Sequence, residues 1–240
     1  MKQWLLLFAA MLVSSTTANA AGVNLAWDNC LGGGGVAHKT FACNSNSGIS
    51  AFVVSFRAPA GLGSWDQIYA EILFQSAATT LPDWWRLRNE TGQTGQCRNG
   101  SVGANTLIAG ATGCVDPWNN LSAGGVGYYL AGDGAPNRAR LLLGAGIPAG
   151  DPLIEETEYF AYRGFINNAK TVGLGSCAGC SEGMCIVANW VEIADSPAPP
   201  LHLSAPAEQN FIVWQGGDAA CPGATPRRNE TWGSIKSLYR

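Results

Sequence analysis

The sequence predicts an all-β protein, an antiparallel β-sandwich of the jelly-roll type with disulfide-stapled loops. Three observations support this fold class: short apolar or alternating runs, turn-rich connections between them, and eight cysteines in 240 residues. Alternating runs bounded by Gly, Pro, Asn and Ser are typical of strands. No long helical pattern separates these runs, which favours two packed sheets over a mixed α/β fold.

Eight segments carry the strand pattern. In 67–74 (QIYAEILF), Ile68 and Ile72 lie on one face, whereas Tyr69 and Glu71 lie on the other. The predicted strands are 23–27, 49–56, 67–74, 126–132, 137–146, 157–167, 184–193 and 210–215. The proline-rich stretch 195–206 is interpreted as a long ordered connection within the sandwich, with a stiff linker as the alternative.

The first twenty residues have the pattern of an export signal. Lys2 precedes a short apolar run, and Ala18 and Ala20 stand at the positions that a signal peptidase reads. We place cleavage after Ala20; Ala21 follows rather than a cysteine, so no lipid anchor is expected. The sequence therefore predicts residues 1–20 as signal peptide and a secreted, extracytoplasmic protein without a membrane span.

A different pattern ends the chain. Trp232, Ile235, Leu238 and Tyr239 recur at helical spacing. We therefore divide the mature chain into a β-sandwich domain, 21–228, and a short C-terminal helical tail, 229–240. The tail is interpreted as a helix docked over one end of the sandwich, and recognition by a sorting or assembly partner is the alternative.

Composition excludes some partners. Charged residues make up only 13% of the chain, whereas 31 residues are glycine and nine are tryptophan. The formal net charge of −3 becomes −4 when Lys2 leaves with the signal peptide. Nucleic acids and anionic membranes require a basic surface, so neither is expected as a partner.

The cysteine pattern indicates disulfides, because an even count in an exported chain favours oxidation. Spacing favours Cys30–Cys43 and Cys97–Cys114, which leaves the last four cysteines to pair among themselves. These four are Cys177, Cys180, Cys185 and Cys221. A zinc site or a redox-active Cys177-x-x-Cys180 is the alternative. A zinc site would need a second closely spaced pair of ligands, which Cys185 and Cys221 do not form, and a redox site would need a helix that begins at the motif.

Catalytic patterns are weak. The two histidines, His38 and His202, lie in no recognisable catalytic context. If the strand predicted at 157–167 extends back to residue 156, Glu156 and Glu158 lie on the same face. Such a pair of carboxylates is the catalytic arrangement of a glycoside hydrolase, which stays as a minor alternative. Ordinary solvated carboxylates at the start of a strand explain the same residues.

Aromatic residues suggest a binding site in LPDWWRLRN (81–89). Adjacent residues of an extended chain point to opposite faces, so one of Trp84 and Trp85 is expected to face solvent and stack on a sugar. Arg86 and Arg88 would supply hydrogen-bond donors. The competing interpretation is that these rings pack in the core.

Oxygen donors in turns suggest calcium as an optional cofactor. DPWNN (116–120) and GDGAPN (132–137) place Asp116, Asn119, Asp133 and Asn137 as candidate ligands. Asp and Asn are also common in turns for backbone reasons alone.

Four stretches carry a resemblance: VNLAWDNC (23–30), LPDWWRLRN (81–89), INNAKTVGLGSCAGC (166–180) and TWGSIKSLYR (231–240). Together they resemble a group of uncharacterised exported bacterial proteins, and the resemblance covers most of the mature chain. It implies extracytoplasmic residence. A weaker similarity to cohesin-like and carbohydrate-binding β-sandwiches rests on architecture alone.

These patterns lead to one functional prediction and its alternatives. We predict a non-catalytic secreted protein with a structural, adhesive or assembly role at the cell surface or outside the cell. Its expected partners are an extracellular glycan, another surface protein or a second copy. The main alternative is a carbohydrate-binding module that uses Trp84 and Trp85.

Overall fold

The computed structural model describes residues 21–90, 93–131, 134–195 and 198–221. Its strands are β1 Gly22–Trp27, β2 His38–Lys39, β3 Ile49–Arg57, β4 Trp65–Ser76, β5 Val102–Asn105, β6 Ala123–Leu130, β7 Arg138–Gly150, β8 Glu158–Asn167, β9 Met184–Ala194, β10 Leu201–Leu203 and β11 Phe211–Trp214. Short 3-10 helices lie at Leu31–Gly33, Asp83–Trp85 and Gly217–Ala220.

The strands form two sheets. The smaller has the order β1–β3–β8–β5, and the larger has the order β2–β11–β9–β4–β7–β6, with β10 beside β9. All pairs between named strands are antiparallel except β2 with β11. The predicted disulfide-stapled all-β fold is confirmed. The predicted signal peptide and C-terminal helix lie outside the described residues.

Period-two alternation explains the strands of the larger sheet. In β7, every second residue from Ala139 to Ile147 is buried, and the residues between them are partly exposed. In β4, Ile68 and Ile72 are buried, as the alternation predicts. Because successive side chains leave opposite faces of a strand, one face of this sheet lines the core and the other faces outward. Across the described residues, no helix is long and apolar enough to cross a membrane.

The core contains an unusual concentration of indole rings. Six tryptophans are at most 1% exposed: Trp27, Trp65, Trp84, Trp85, Trp118 and Trp214. Trp214 lies at the centre of one cluster, with its ring centroid 5.0 Å from that of Trp84 and 5.3 Å from that of Trp85. The ring of Phe41 stacks on Trp214 at 3.7 Å. These rings fill the space between the sheets at the end where β9 and β11 pair.

The connection before β11 closes one side of the sandwich. Backbone hydrogen bonds join Val23 to Ala205 and Ala207, and Leu25 to Gln209. The described part of the proline-rich stretch is thus an ordered connection, as the sequence predicts. It covers the outer edge of β1, whose amide groups would otherwise be open to pairing with another chain.

Four disulfides join the eight cysteines, none of which is free. The bonds are Cys30–Cys114, Cys43–Cys180, Cys97–Cys177 and Cys185–Cys221. The interpretation as disulfides is confirmed over zinc and redox chemistry. The predicted pairs Cys30–Cys43 and Cys97–Cys114 are wrong, because the fold brings together cysteines that are 80 or more residues apart. The last four cysteines do not all pair among themselves either: Cys185 and Cys221 do, whereas Cys177 and Cys180 bond to Cys97 and Cys43.

The segment 177–180 is held at both of its cysteines. Cys177 is bonded to Cys97 and Cys180 to Cys43, so two distant loops are fastened to one turn. We expect a non-reducing peptide map to recover four linked peptides with these pairings and no free thiol. Recovery of a Cys30–Cys43 or Cys97–Cys114 peptide would contradict the arrangement, and the reduced, alkylated protein is the control.

Candidate functional site

Trp84 and Trp85 are both completely buried, and the prediction that one of them faces solvent is wrong. They lie in the 3-10 helix Asp83–Trp85, where neighbouring side chains do not alternate between two faces as they do in a strand. Trp84 Nε1 donates to Thr171 Oγ1 at 3.0 Å. The segment therefore anchors the core, and its indole rings are not available to a sugar.

The arginines of this segment are engaged locally. Arg86 Nε lies 3.3 Å from Asp83 Oδ1, and Arg88 Nε lies 2.9 Å from Glu90 Oε1. Both are partly exposed ion pairs of the kind that contribute little to stability. They do not flank an exposed ring, so the predicted arrangement of donors around a stacked sugar is not formed.

Arg98, which the sequence patterns did not single out, holds this region together. Its guanidinium lies 3.5 Å from the centroid of the Trp84 ring and donates to the backbone oxygens of Trp84 at 2.9 Å and Ala169 at 2.8 Å. Another of its nitrogens donates to Asn167 O. Burial lowers the pKa of Arg98 to about 9, against a smaller opposing effect of Tyr128. At neutral pH the guanidinium therefore stays charged and holds the three backbone oxygens together. In the sequence, only its position next to Cys97 could have drawn attention to Arg98.

Three of the candidate calcium ligands, Asp116, Asn119 and Asn137, stabilise turns or strand ends in this structure. Asp116 Oδ1 accepts from the amide of Trp118 at 3.0 Å, and Asn137 Nδ2 donates to Ser76 O at 2.8 Å. Asn119 has a φ of 49°, the left-handed conformation that Asn tolerates in turns. Asp133 lies outside the described residues, so its role as a calcium ligand stays a prediction. Among the residues that are described, no three His, Cys, Asp or Glu side chains cluster as a metal site would.

Glu156 and Glu158 do not form a carboxylate pair on a strand. β8 begins at Glu158, whereas Glu156 is exposed in the preceding turn with a φ of 62°. Glu158 is only 8% exposed and accepts hydrogen bonds from Ser55 Oγ at 2.5 Å and from the amide of Gly32 at 3.1 Å. The carboxylate is committed to binding the chain itself, which is a structural role.

An outward-facing group of side chains on the larger sheet is the best candidate for a binding site. We call it the aromatic face and define it by Tyr69, Glu71, Tyr129, Arg140, Trp190, Glu192 and His202. The register places Glu71 opposite Trp190, Tyr69 opposite Glu192, and Arg140 opposite Tyr129. Four neighbouring strands, together with β10, therefore contribute to one surface.

Glycines leave room for the two tyrosine rings. Tyr69 lies opposite Gly144 on β7, and a Cβ at Gly144 would fall 2.9 Å from Tyr69 Cδ1. A Cβ at Gly127 would likewise fall 2.8 Å from Tyr129 Cε2. Each ring thus occupies space that a side chain at the facing glycine position would fill.

Neighbouring polar groups hold the aromatic face rigid. Glu71 Oε1 accepts from Asn189 Nδ2 at 2.7 Å, and Glu71 Oε2 lies 3.6 Å from Arg140 Nη1. His202 lies 3.5 Å from Glu192 and has its ring centroid 5.6 Å from that of Trp190. Burial, followed by the negative charges of Asp66 and Glu192, raises the pKa of Tyr69, so its hydroxyl remains a donor at neutral pH.

The outer edge of β6 is only half covered. Side chains cap one half: Tyr128 N donates to Glu90 Oε1 at 2.9 Å, and Gln93 bonds both the amide and the carbonyl of Leu130 at 3.0 Å. By alternation the amides of Gly124 and Val126 also point away from β7. Within the described ranges no hydrogen bond reaches them, and Gly124 is exposed.

A small cleft lies between the edges of β5 and β6. It has a volume of about 150 Å³ and is lined by residues that include Ala104, Asn105, Gly124, Gly125 and Tyr162. Pockets that bury a small organic molecule are usually several times larger, about 300–1,000 Å³. The cleft borders the open half of β6 at Gly124 and Gly125 and is too small to be an active-site pocket itself.

Sequence reasoning assigned Tyr69 and Glu71 to one face of a strand but did not connect them with Trp190 or Tyr129. The available signal was the alternation in 184–193, which separates Trp190 and Glu192 from the apolar residues beside them. Strand order was missing from that reasoning, and strand order decides which outward residues become neighbours.

Comparisons with known proteins add no family assignment. No protein-family model matches the chain, and no curated protein is significantly similar to it. Function is accordingly inferred from the geometry of two outward surfaces, the aromatic face and the β6 edge.

Proposed function

We propose that the mature chain is a non-catalytic extracellular protein with a structural role, and that it assembles by pairing its β6 edge with that of a second copy. Four disulfides fit an oxidising compartment, and the stapled sandwich suits a durable building unit. The open amides of Gly124 and Val126 are the observation that carries the proposal.

The open half of β6 lacks the usual protection of an edge strand. Proteins blunt exposed edges with charged residues, proline or a covering segment, because unpaired N–H and C=O groups recruit other strands. Residues 121–127 read LSAGGVG and contain neither a charge nor a proline. The edge of β1, in contrast, is covered by residues 205–209 of the same chain.

A second copy satisfies this edge by symmetry. With a two-fold axis at Gly125, Gly124 of each protomer lies opposite Val126 of its partner, and each pair exchanges both backbone hydrogen bonds. The absence of side chains at Gly124 and Gly125 permits close approach. The caps provided by Glu90 and Gln93 limit the pairing to this half of the strand.

Substitution of Val126 by proline tests the assembly. Proline removes the outward N–H without breaking a bond to β7, and proline is tolerated on edge strands in this orientation. We expect the mature wild-type chain, residues 21–240, to dimerise with concentration in sedimentation-velocity experiments. The Val126→Pro protein should be at least about tenfold weaker in dimerisation, since it loses backbone bonds at both symmetric positions.

The matched control is Val126→Ala, which removes more apolar contact but keeps the amide. It should dimerise like the wild type. A wild-type chain that remains monomeric at every concentration, or a proline variant that dimerises as well as the alanine variant, would overturn the proposal.

A further inference from the structure

We infer that the chain forms an intramolecular ester between Ser55 and Asn24, which joins β3 covalently to β1. Ser55 Oγ becomes the ester oxygen, Asn24 Cγ becomes the acyl carbon, and ammonia leaves. The reaction occurs once within the chain, so it is compatible with a protein that has no external substrate. It goes beyond the proposed assembly and does not depend on it, because β1 and β3 belong to the smaller sheet and β6 to the larger.

The two reacting residues face each other across neighbouring strands. Asn24 lies opposite Ser55 in the antiparallel register of β1 and β3. Side chains directly opposite each other in such a pair lie on the same face of the sheet, with Cβ atoms about 4.5–5.5 Å apart. Ser55 Oγ and Asn24 Cγ are each one bond from these Cβ atoms. The hydroxyl can therefore reach the carbonyl carbon by side-chain rotation, without movement of the strands.

Ser55 has a base in place. Its Oγ donates a hydrogen bond to Glu158 Oε1 at 2.5 Å, a length typical of a strong bond from a hydroxyl to a carboxylate. The backbone amides of Leu31 and Gly32 hold the carboxylate in this position. Because a serine hydroxyl is a weak nucleophile until an adjacent base removes its proton, this contact is the one that attack by Oγ requires.

The side-chain amide of Asn24 is oriented for attack. Its Oδ1 accepts hydrogen bonds from the backbone amides of Glu208 at 3.0 Å and Gln209 at 3.2 Å. Two such donors can face only an oxygen, so Nδ2 is the atom that lies 3.4 Å from Glu158 Oε1. Paired N–H donors on a carbonyl oxygen stabilise the negative charge that develops in a tetrahedral intermediate, as in an oxyanion hole.

One carboxylate oxygen serves both proton transfers. Glu158 Oε1 accepts the proton of Ser55 Oγ as the bond from Oγ to Asn24 Cγ forms. It then delivers this proton to Asn24 Nδ2 as the bond between Cγ and Nδ2 breaks. Ammonia leaves with its two original hydrogens and the transferred one, and Glu158 is a carboxylate again. The balance needs no oxidant, reductant or co-reactant.

Burial protects the product from hydrolysis. Asn24 and Ser55 are at most 1% exposed, and Glu158 is 8% exposed, so bulk water has little access to the ester. Ammonia is small and is diluted into the solvent, which opposes the reverse reaction. The link would also fasten the sheet that disulfides leave unlinked, since none of the eight cysteines lies in the described strands of the smaller sheet.

Tryptic mapping after reduction and alkylation tests the inference. Cleavage after Lys39 separates Asn24 from Ser55, which is released in the peptide 40–57. We expect the purified wild-type protein to yield these two peptides as one linked species, lighter than their sum by one molecule of ammonia. The intact denatured protein should show the same deficit. Mild alkali should add one water, separate the peptides and leave aspartate at position 24.

Two variants should lack the link. Ser55→Ala removes the nucleophile, and Glu158→Gln removes the proton acceptor while keeping a side chain of similar size. Ser50→Ala is the matched control, because Ser50 is also buried in β3 and its loss should leave the link intact. Ser55→Ala should dimerise like the wild type, so that failure of the cross-link and failure of assembly are distinguishable.

The wild-type map decides the inference even if a variant fails to fold. Recovery of two separate peptides, with the side-chain amide of Asn24 intact, would overturn it. A loss of ammonia that persists in Ser55→Ala, or that occurs without the linked species, would show that another residue is its source and would also overturn the inference.

Discussion

Replacing Trp214 by alanine is expected to lower the free energy of unfolding by about 3–5 kcal/mol, the usual cost of removing a buried tryptophan ring. The side chain is completely buried and contacts the rings of Trp27, Phe41, Trp84 and Trp85. Its Nε1 also donates to Cys180 O at 2.7 Å. The substitution therefore opens a cavity and leaves a carbonyl without its donor.

Denaturant unfolding with the disulfides intact measures this loss. Trp190→Ala is the matched control, since it removes the same side chain from the outer face and should cost about 1 kcal/mol or less. Trp214→Phe should lie between the two, because it restores most of the ring contacts but not the hydrogen bond. Equal losses for Trp214→Ala and Trp190→Ala would contradict the placement of Trp214 at the centre of the cluster.

Removal of the Glu158 carboxylate should be nearly as damaging, with a loss of about 3 kcal/mol or more, because several donors would be left unsatisfied. Glu158 Oε1 accepts from Ser55 Oγ at 2.5 Å, from Leu31 N at 3.3 Å and from Asn24 Nδ2 at 3.4 Å, and Oε2 accepts from Gly32 N. The carboxylate thus ties β1, β3 and the Leu31–Gly33 turn to the start of β8.

The location of the damage distinguishes this role from a catalytic one. In Glu158→Ala, hydrogen exchange should accelerate first in residues 29–36, which lose their anchor to β8, while β9 remains protected. Glu158→Gln keeps one carbonyl oxygen and should lose less stability. Glu155→Ala, an exposed neighbour, should change the unfolding free energy by about 0.5 kcal/mol or less. Uniform loss of protection would argue against a local anchor.

Several residues show how far sequence reasoning reached. The alternation of Ile68 and Ile72 with Tyr69 and Glu71 predicted β4 and its two faces, because a strand side chain has only two directions available. The same rule failed at Trp84 and Trp85, where the chain turns in a 3-10 helix. A short helical turn has no periodicity long enough to be recognised.

The cysteines show a second limit of prediction from sequence, which is the choice of disulfide partners. Oxidation of all eight was predicted from their even number and the predicted export signal, and it is a local and compositional inference. The choice of partner is not local: Cys43 and Cys180 are 137 residues apart in the sequence. Only the packing of the two sheets brings their loops within bonding distance, and loop spacing alone selected the wrong pairs.

By itself the sequence determined the fold class, the oxidised state of the cysteines and most strand positions, since each depends on composition or on neighbours a few residues away. Tertiary structure alone decided which tryptophans form the core, which outward residues of the larger sheet become neighbours, and which half of β6 remains open. These features arise from strand order and register between segments far apart in the chain. The proposed assembly edge belongs to this second group, because its open half is defined by strands and loops that become neighbours only in the folded protein.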